Sequence, residues 1–266
     1  MIRKSGFRYY TVNNHPRVNN MVAGNSNYYL KSKHRIRTPS STVSFFGGQH
    51  PSVVPIYTLW RQFRQGRNQV RDFVYWTFYP YNRGKNVCIG VAGSGRCFGG
   101  CTVMGNHVAD WEHVTVRLVN NRPSQMYIGA HNFGGVYNWN GETFVKGKDK
   151  VTFSLSGHPI VYSAKGSHGL WTRRGRITYQ KLLNGEVLQE LVSSGTVWDT
   201  WKNVKLIRYI KGKHYTGNLQ WMNFKGRWGD PKRGCAALEK ISNECRLNDG
   251  PEGPAIKSVM KERKLS

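Results

Sequence analysis

Between residues 72 and 209 the apolar side chains come in short runs, each closed by glycine, asparagine, serine or proline, and this rhythm leaves little room for long helices. The run DFVYWTFYPYN at 72–82 is dense in aromatic and β-branched residues and reads as a buried strand stopped by Pro80 and Asn82. Further strands are expected at 111–119, 125–131, 134–139, 142–145, 150–155, 158–164, 176–180 and 204–209, with a hairpin turn at Asn140-Gly141. Helical spacing is confined to PIYTLWRQFRQ, one or two turns ended at Gly66, and to short pieces at 186–194 and 235–243. The expected class is all-β: a single β-sandwich domain with long loops and a few short helices, not alternating βα units. Residues 1–50, rich in Asn, Ser and basic side chains, read as a peripheral arm, residues 51–255 as the sandwich, and 256–266 as a basic tail. No internal repeat is visible.

Charge narrows the partners. The chain has 40 Lys and Arg against 14 Asp and Glu, a net +26, and Asp72 is the first acid in the sequence. Such a surface favours a polyanion: an anionic or glycosylated membrane surface, a glycan, or, on charge alone, nucleic acid. No zinc-finger spacing, phosphate-binding loop or RNA-binding aromatic block supports the last of these. The plain alternative is a solvated cationic exterior. With 38% hydrophobic and 13% aromatic residues the chain is no disordered polycation. No apolar run approaches the ~20 residues that span a bilayer. The basic start MIRKSGFRYYTV lacks the apolar core of a signal peptide. The cysteines, at 88, 97, 101, 235 and 245, fall in local groups that resemble disulfides of an exported protein. Two disulfides and one free thiol are expected, with Cys235 bonded to Cys245, and an extracellular location is favoured.

The stretch GNHVADWEHVTVRLV at 105–119 concentrates scarce carboxylates beside imidazoles. Read as a strand, it places Asp110 and Glu112 on one face with Val114 and Val116, and Trp111 and His113 on the other. His107, Asp110 and Glu112 are residue types that bind a divalent cation, and without one the carboxylates would repel until one took up a proton. Two other readings stay open: pairing with the abundant Lys and Arg, or a general acid and base that would need a third group. His131 and His168 each end a β-rich run at a glycine-containing turn and, with His113, are candidates for the same pocket. In KGRWGDPKRGC, Arg227, Trp228, Lys232 and Arg233 could form an aromatic and cationic platform for a headgroup, or Trp228 could plug the core.

The ordered motifs YWTFYPYN, GNHVADWEHVTVRL, GHPIVYSAKGSHGLW, FKGRWGDPKRGC and CRLNDGPEGP resemble the vacuolar protein sorting protein 62-related family of fungi and plants, over roughly residues 50–255. A more distant likeness is to the necrosis-inducing, NPP1-like cytolysins. Their pattern H-x-x-D-x-E falls on His107, Asp110 and Glu112, and the likeness implies a divalent cation (calcium or magnesium, with manganese as a third option) in a site for lipid headgroups. Asn82 stands where those cytolysins carry a further acidic ligand. Both resemblances imply a β-sandwich. The leading expectation is a non-enzymatic, toxin-like protein that binds anionic or glycosylated lipid or glycan surfaces. The rivals are a metal- or carboxylate-dependent hydrolase using the same pocket, and a structural, self-assembling protein.

Overall fold

The computed structural model describes residues 10–11, 29–31, 49–93, 96–131, 133–235, 245–261 and 265. Its frame is an eight-stranded sheet built from β1 (Ile56–Gln65), β2 (Asn68–Asn82), β3 (His107–Val119), β4 (Arg122–Ala130), β5 (Phe133–Trp139), β6 (Phe144–Lys146), β7 (Asp149–Lys150) and β8 (Val204–Arg208). The order across the sheet is β7-β6-β5-β4-β3-β2-β1-β8. Seven strands follow one another as antiparallel neighbours, and β8 returns to lie parallel to β1. The protein is all-β, with small two- and three-stranded sheets around this frame.

Period-two alternation gives each sheet face its own core. On one face Tyr57, Leu59, Val74, Trp76, Phe78 and Trp111 are buried beneath Trp221, Met222, Phe224, Trp228 and Met260. On the other, Val114, Met126, Ile128 and Tyr137 pack under Phe144, Val151 and Leu170. Trp111 is central to the first core: it stacks on Trp221 with centroids 5.8 Å apart and meets Trp76 and Trp228 edge-on. Aromatic pairs of this kind add about 0.5–1.5 kcal/mol each beyond the area they bury.

Two helical expectations are corrected. PIYTLWRQFRQ is mostly β1, whose Tyr57 and Leu59 face the core opposite Trp76 and Val74, with the turn to β2 made at Gly66. Strand neighbours on both edges decide the conformation there, overriding a local spacing that also fits a helix. Residues Val187–Val192 likewise form a strand, antiparallel to Gly175–Lys181. Its burial alternates strictly, with Leu188, Glu190 and Val192 inside, and the carboxylate on the inner face disguises the period. The helical piece expected at 235–243 lies, apart from Cys235, outside the described residues.

Described segments near both ends join the core. Tyr29–Lys31 runs parallel to Arg227–Trp228, and Leu30 is buried in the aromatic core. Near the other end Val259 and Met260 are buried, and the Met260 carbonyl accepts a hydrogen bond from Arg61. Cys235 is bonded to Cys245 and Cys88 to Cys97, while Cys101 is a free, exposed thiol.

Candidate functional site

The ladder between β3 and β4 ends at Val114 and Ile128, although β3 reaches back to His107 and β4 runs on to Ala130 beside β5. Where the two strands part, a cleft of about 580 Å3 opens, lined by His107, Asp110, Glu112, His113, Tyr127 and His131, among others. Gly129 sits at the parting point, where an added Cβ would lie 3.0 Å from the His113 carbonyl. The far wall comes from 248–258, which contributes Asp249, Pro251, Glu252 and Lys257.

The order Asp-Trp-Glu places the carboxylates. Trp111 is driven into the aromatic core opposite Phe78, so Asp110 and Glu112 turn to the other face, opposite Tyr79 and Thr77. Both carboxylates are buried, yet their surroundings differ. Asp110 Oδ2 accepts hydrogen bonds from His168 Nδ1 at 3.0 Å and Asn82 Nδ2 at 3.2 Å. Burial raises the pKa of Asp110, but the His168 hydrogen bond and the nearby imidazoles outweigh it and hold this carboxyl below its ordinary value. Among the described residues no hydrogen bond or ion pair reaches the Glu112 carboxyl. Burial first, and the Asp110 charge second, push it well above the carboxylate range, against the pull of Lys257.

The imidazoles are placed as follows. His107 Nδ1 donates to the Ala109 carbonyl at 2.7 Å, and its Nε2 lies 4.0 Å from Asp110 Oδ1. His168 lies flat on Tyr79, with centroids 3.9 Å apart. His113 packs between Trp76 and Tyr127 on the opposite sheet face. Burial raises the Tyr79 hydroxyl to about 12. Ala109, His131 and His168 all have positive φ, of 57°, 54° and 63°. Such backbone costs a non-glycine residue about 1–2 kcal/mol and recurs where function holds it.

His131 leads to a residue that the sequence reading missed. It shares the wholly buried Glu190 carboxylate with Lys85, at 2.7 Å, while the Ser167 hydroxyl donates to the other oxygen at 2.7 Å. These three donors together overcome burial and hold Glu190 at about 2. The Ser167 carbonyl accepts from Asn82 Nδ2, so hydrogen bonds run continuously from Asp110 through Asn82 and Ser167 to Glu190. Asn82 is therefore no oxygen donor to the site. Its Oδ1 is taken by the Gly84 amide and its NH2 faces Asp110.

Of the KGRWGDPKRGC residues, Trp228 has no exposed surface and belongs to the core, Arg227 lines the cleft, and Lys232 and Arg233 are exposed. Among the described residues no three His, Cys, Asp or Glu side chains converge as a ready metal shell.

Comparison with known proteins identifies the lineage. The profile of the family described as Vacuolar protein sorting-associated protein 62 matches residues 65–247. The chain belongs to this family. Vacuolar protein sorting-associated protein 62 of Saccharomyces cerevisiae is 28% identical over 202 residues, covering 71% of this chain and 41% of the yeast protein. A second protein of that yeast with the vacuolar-sorting designation, TDA6, is 27% identical over 207 residues, covering 71% of this chain and 42% of its own length. This chain thus spans about two-fifths of the length of the curated relatives that it matches. No solved structure matches it. The match includes Asp110, Glu112, His131, His168 and Glu190 but stops before the 248–258 wall.

Proposed function

We propose that this member of the Vps62 family is a binding protein whose cleft takes a neutral, hydroxyl-rich ligand, the sugar or polyol headgroup of a glycan or glycolipid. The observation that carries the reading is Glu112, a buried carboxyl facing a cleft, to which no hydrogen bond or ion pair is made among the described residues. A protonated carboxyl offers one donor and one acceptor, and a ligand hydroxyl offers the same pair in return. Asp110, which stays ionised, adds an acceptor and disfavours a phosphate or sulfate at that point. Tyr127 and Tyr179 supply aromatic walls. The basic exterior would concentrate the protein on an anionic surface, leaving selectivity to the cleft.

Vesicles bearing neutral glycolipid headgroups, compared with vesicles of the same charge lacking them, test this. Glu112→Gln, which keeps a donor and an acceptor, should retain the headgroup-dependent increment, and Glu112→Ala should lose it. An increment unchanged in Glu112→Ala would overturn the reading.

The opposed shifts at Asp110 and Glu112 favour a second reading, in which Glu112 is a general acid and Asp110 a stabilising carboxylate. Release of a cleaved headgroup, abolished by Glu112→Gln, would establish it. A divalent cation fits only in part. His107 Nε2 and Asp110 Oδ1, 4.0 Å apart, would hold it, and Glu112 would join once ionised. Bound there, the ion would supply positive charge for ligand hydroxyls. Melting curves with calcium, magnesium, manganese or EDTA decide this, since indifference to all four removes the ion from the account.

A further inference from the structure

Three of the five cysteines meet at one hairpin, and the ladder register gives two of them competing claims on the third. Cys88 is bonded to Cys97, with Cα atoms 5.6 Å apart. In the strand pair Lys85–Cys88 and Cys101–Met104, however, the residue directly opposite Cys88 is Cys101. Just beyond that pair the Ile89 amide donates to the Gly100 carbonyl at 3.1 Å, which marks Ile89 and Gly100 as a hydrogen-bonded pair. Cys88 and Cys101 therefore occupy the next, non-hydrogen-bonded pair, where opposed Cα atoms approach to about 4.5 Å and side chains come closest. That separation lies inside the span of roughly 4.4–6.8 Å over which a disulfide closes without backbone movement. Cys88 is 2% exposed, Cys97 is half-buried, and Cys101 is exposed and free.

We propose that Cys88, Cys97 and Cys101 form a thiol–disulfide exchange site in which Cys88 passes between two partners. The Cys101 thiol gives its proton to solvent, and the thiolate attacks Cys88 Sγ. The Cys88–Cys101 bond forms as Cys88–Cys97 breaks, and Cys97 leaves as a thiolate that takes up a proton. One disulfide and one thiol are present before and after, so the step needs no oxidant or reductant. The exposed thiol is the attacking group and the buried sulfur the one exchanged. The isomers differ in what they tie together. Cys88–Cys97 closes the turn that holds the small hairpin of Val91–Gly93 and Arg96–Phe98. Cys88–Cys101 would instead staple the two strands to each other. The opposite end of this strand pair is Lys85 across from Met104, both in the cleft wall, with Lys85 held on Glu190. The exchange thus sets the covalent state of an element that lines the cleft, whatever the cleft binds.

The test is thiol mapping of the intact chain. Protein purified without reductant is held at mildly alkaline pH, quenched with acid, alkylated, and digested under non-reducing conditions. Alkylation of Cys101 should fall while that of Cys97 rises by an equal amount, at a rate independent of protein concentration. Cys101→Ser should show no alkylation at Cys97, and Cys97→Ser should close Cys88–Cys101 in air. Alkylation confined to Cys101 in the wild type at all times overturns the proposal, whether or not the variants fold. So does a rate that scales with concentration, or Cys97 alkylation that persists in Cys101→Ser.

Discussion

Two buried glutamates on neighbouring elements have opposite acidities, and the same isosteric change at each should move stability in opposite directions. Glu190, held at about 2 against an ordinary 4.5, favours the folded state above pH 4.5, and that contribution is lost as pH falls toward 2. Glu190→Gln should therefore cost roughly 1–3 kcal/mol at pH 7 by urea unfolding, with the gap to wild type closing near pH 2. Glu112 is raised, so above its ordinary 4.5 the unfolded chain ionises first and stability falls as pH rises. Glu112→Gln should stabilise at pH 7 and lose that advantage below pH 4.5. A Glu112→Gln protein less stable than wild type at pH 7 would show that the carboxylate has a partner. The sequence made Asp110 and Glu112 visible because acids are rare in this chain and here stand two apart beside His107 and His113. Glu190 was hidden by its setting, VLQELV, since its donors come from Lys85, His131 and Ser167, none of them near it in sequence.

At the scale of elements, the site exists because β3 and β4 part company and the 248–258 segment fills in opposite them. That segment is tied to the core by close backbone approach. An added Cβ at Gly253 would fall 2.5 Å from Trp228 Nε1 and 3.3 Å from its Cδ1, and Trp228 is wholly buried among Phe78, Trp111 and Phe224. The indole has nowhere to go, so the segment must shift. Gly253→Ala should lower stability by about 1–3 kcal/mol and weaken headgroup binding, while the melting behaviour of Glu112→Gln relative to its parent stays as above. Wild-type stability and binding in Gly253→Ala would show that the wall is free to move. β2 was legible from its density of aromatic and β-branched residues, and β3 from Val114, Val116 and Leu118. β1 was not, because Arg61, Gln62 and Arg64 break its apolar period at the end away from the core. Arg61 is there to meet Asp72, which it shares with Arg117 in a buried triad that only the pairing of β1, β2 and β3 assembles.

At the scale of the molecule, among the described residues the acids Asp72, Asp110, Glu112, Glu190 and Asp230 are buried, so the exterior is more lopsided in charge than the composition suggests. Association with anionic vesicles should consequently fall steeply as salt rises from 50 to about 300 mM, the Debye length shrinking from roughly 14 to 6 Å. That component should be the same in Glu112→Ala, and salt-independent association would contradict a charge-driven approach. The parallel docking of β8 on β1 bears on how the chain is made. Val204 pairs with Ile56, and everything between them must be synthesised first, which takes on the order of ten seconds at ribosomal speed. Through that interval the β1 edge, with its row of unpaired amides and carbonyls beside Tyr57 and Leu59, is open to any other strand. A nascent chain stalled before residue 200 would accordingly be the aggregation-prone form, the one in most need of a chaperone.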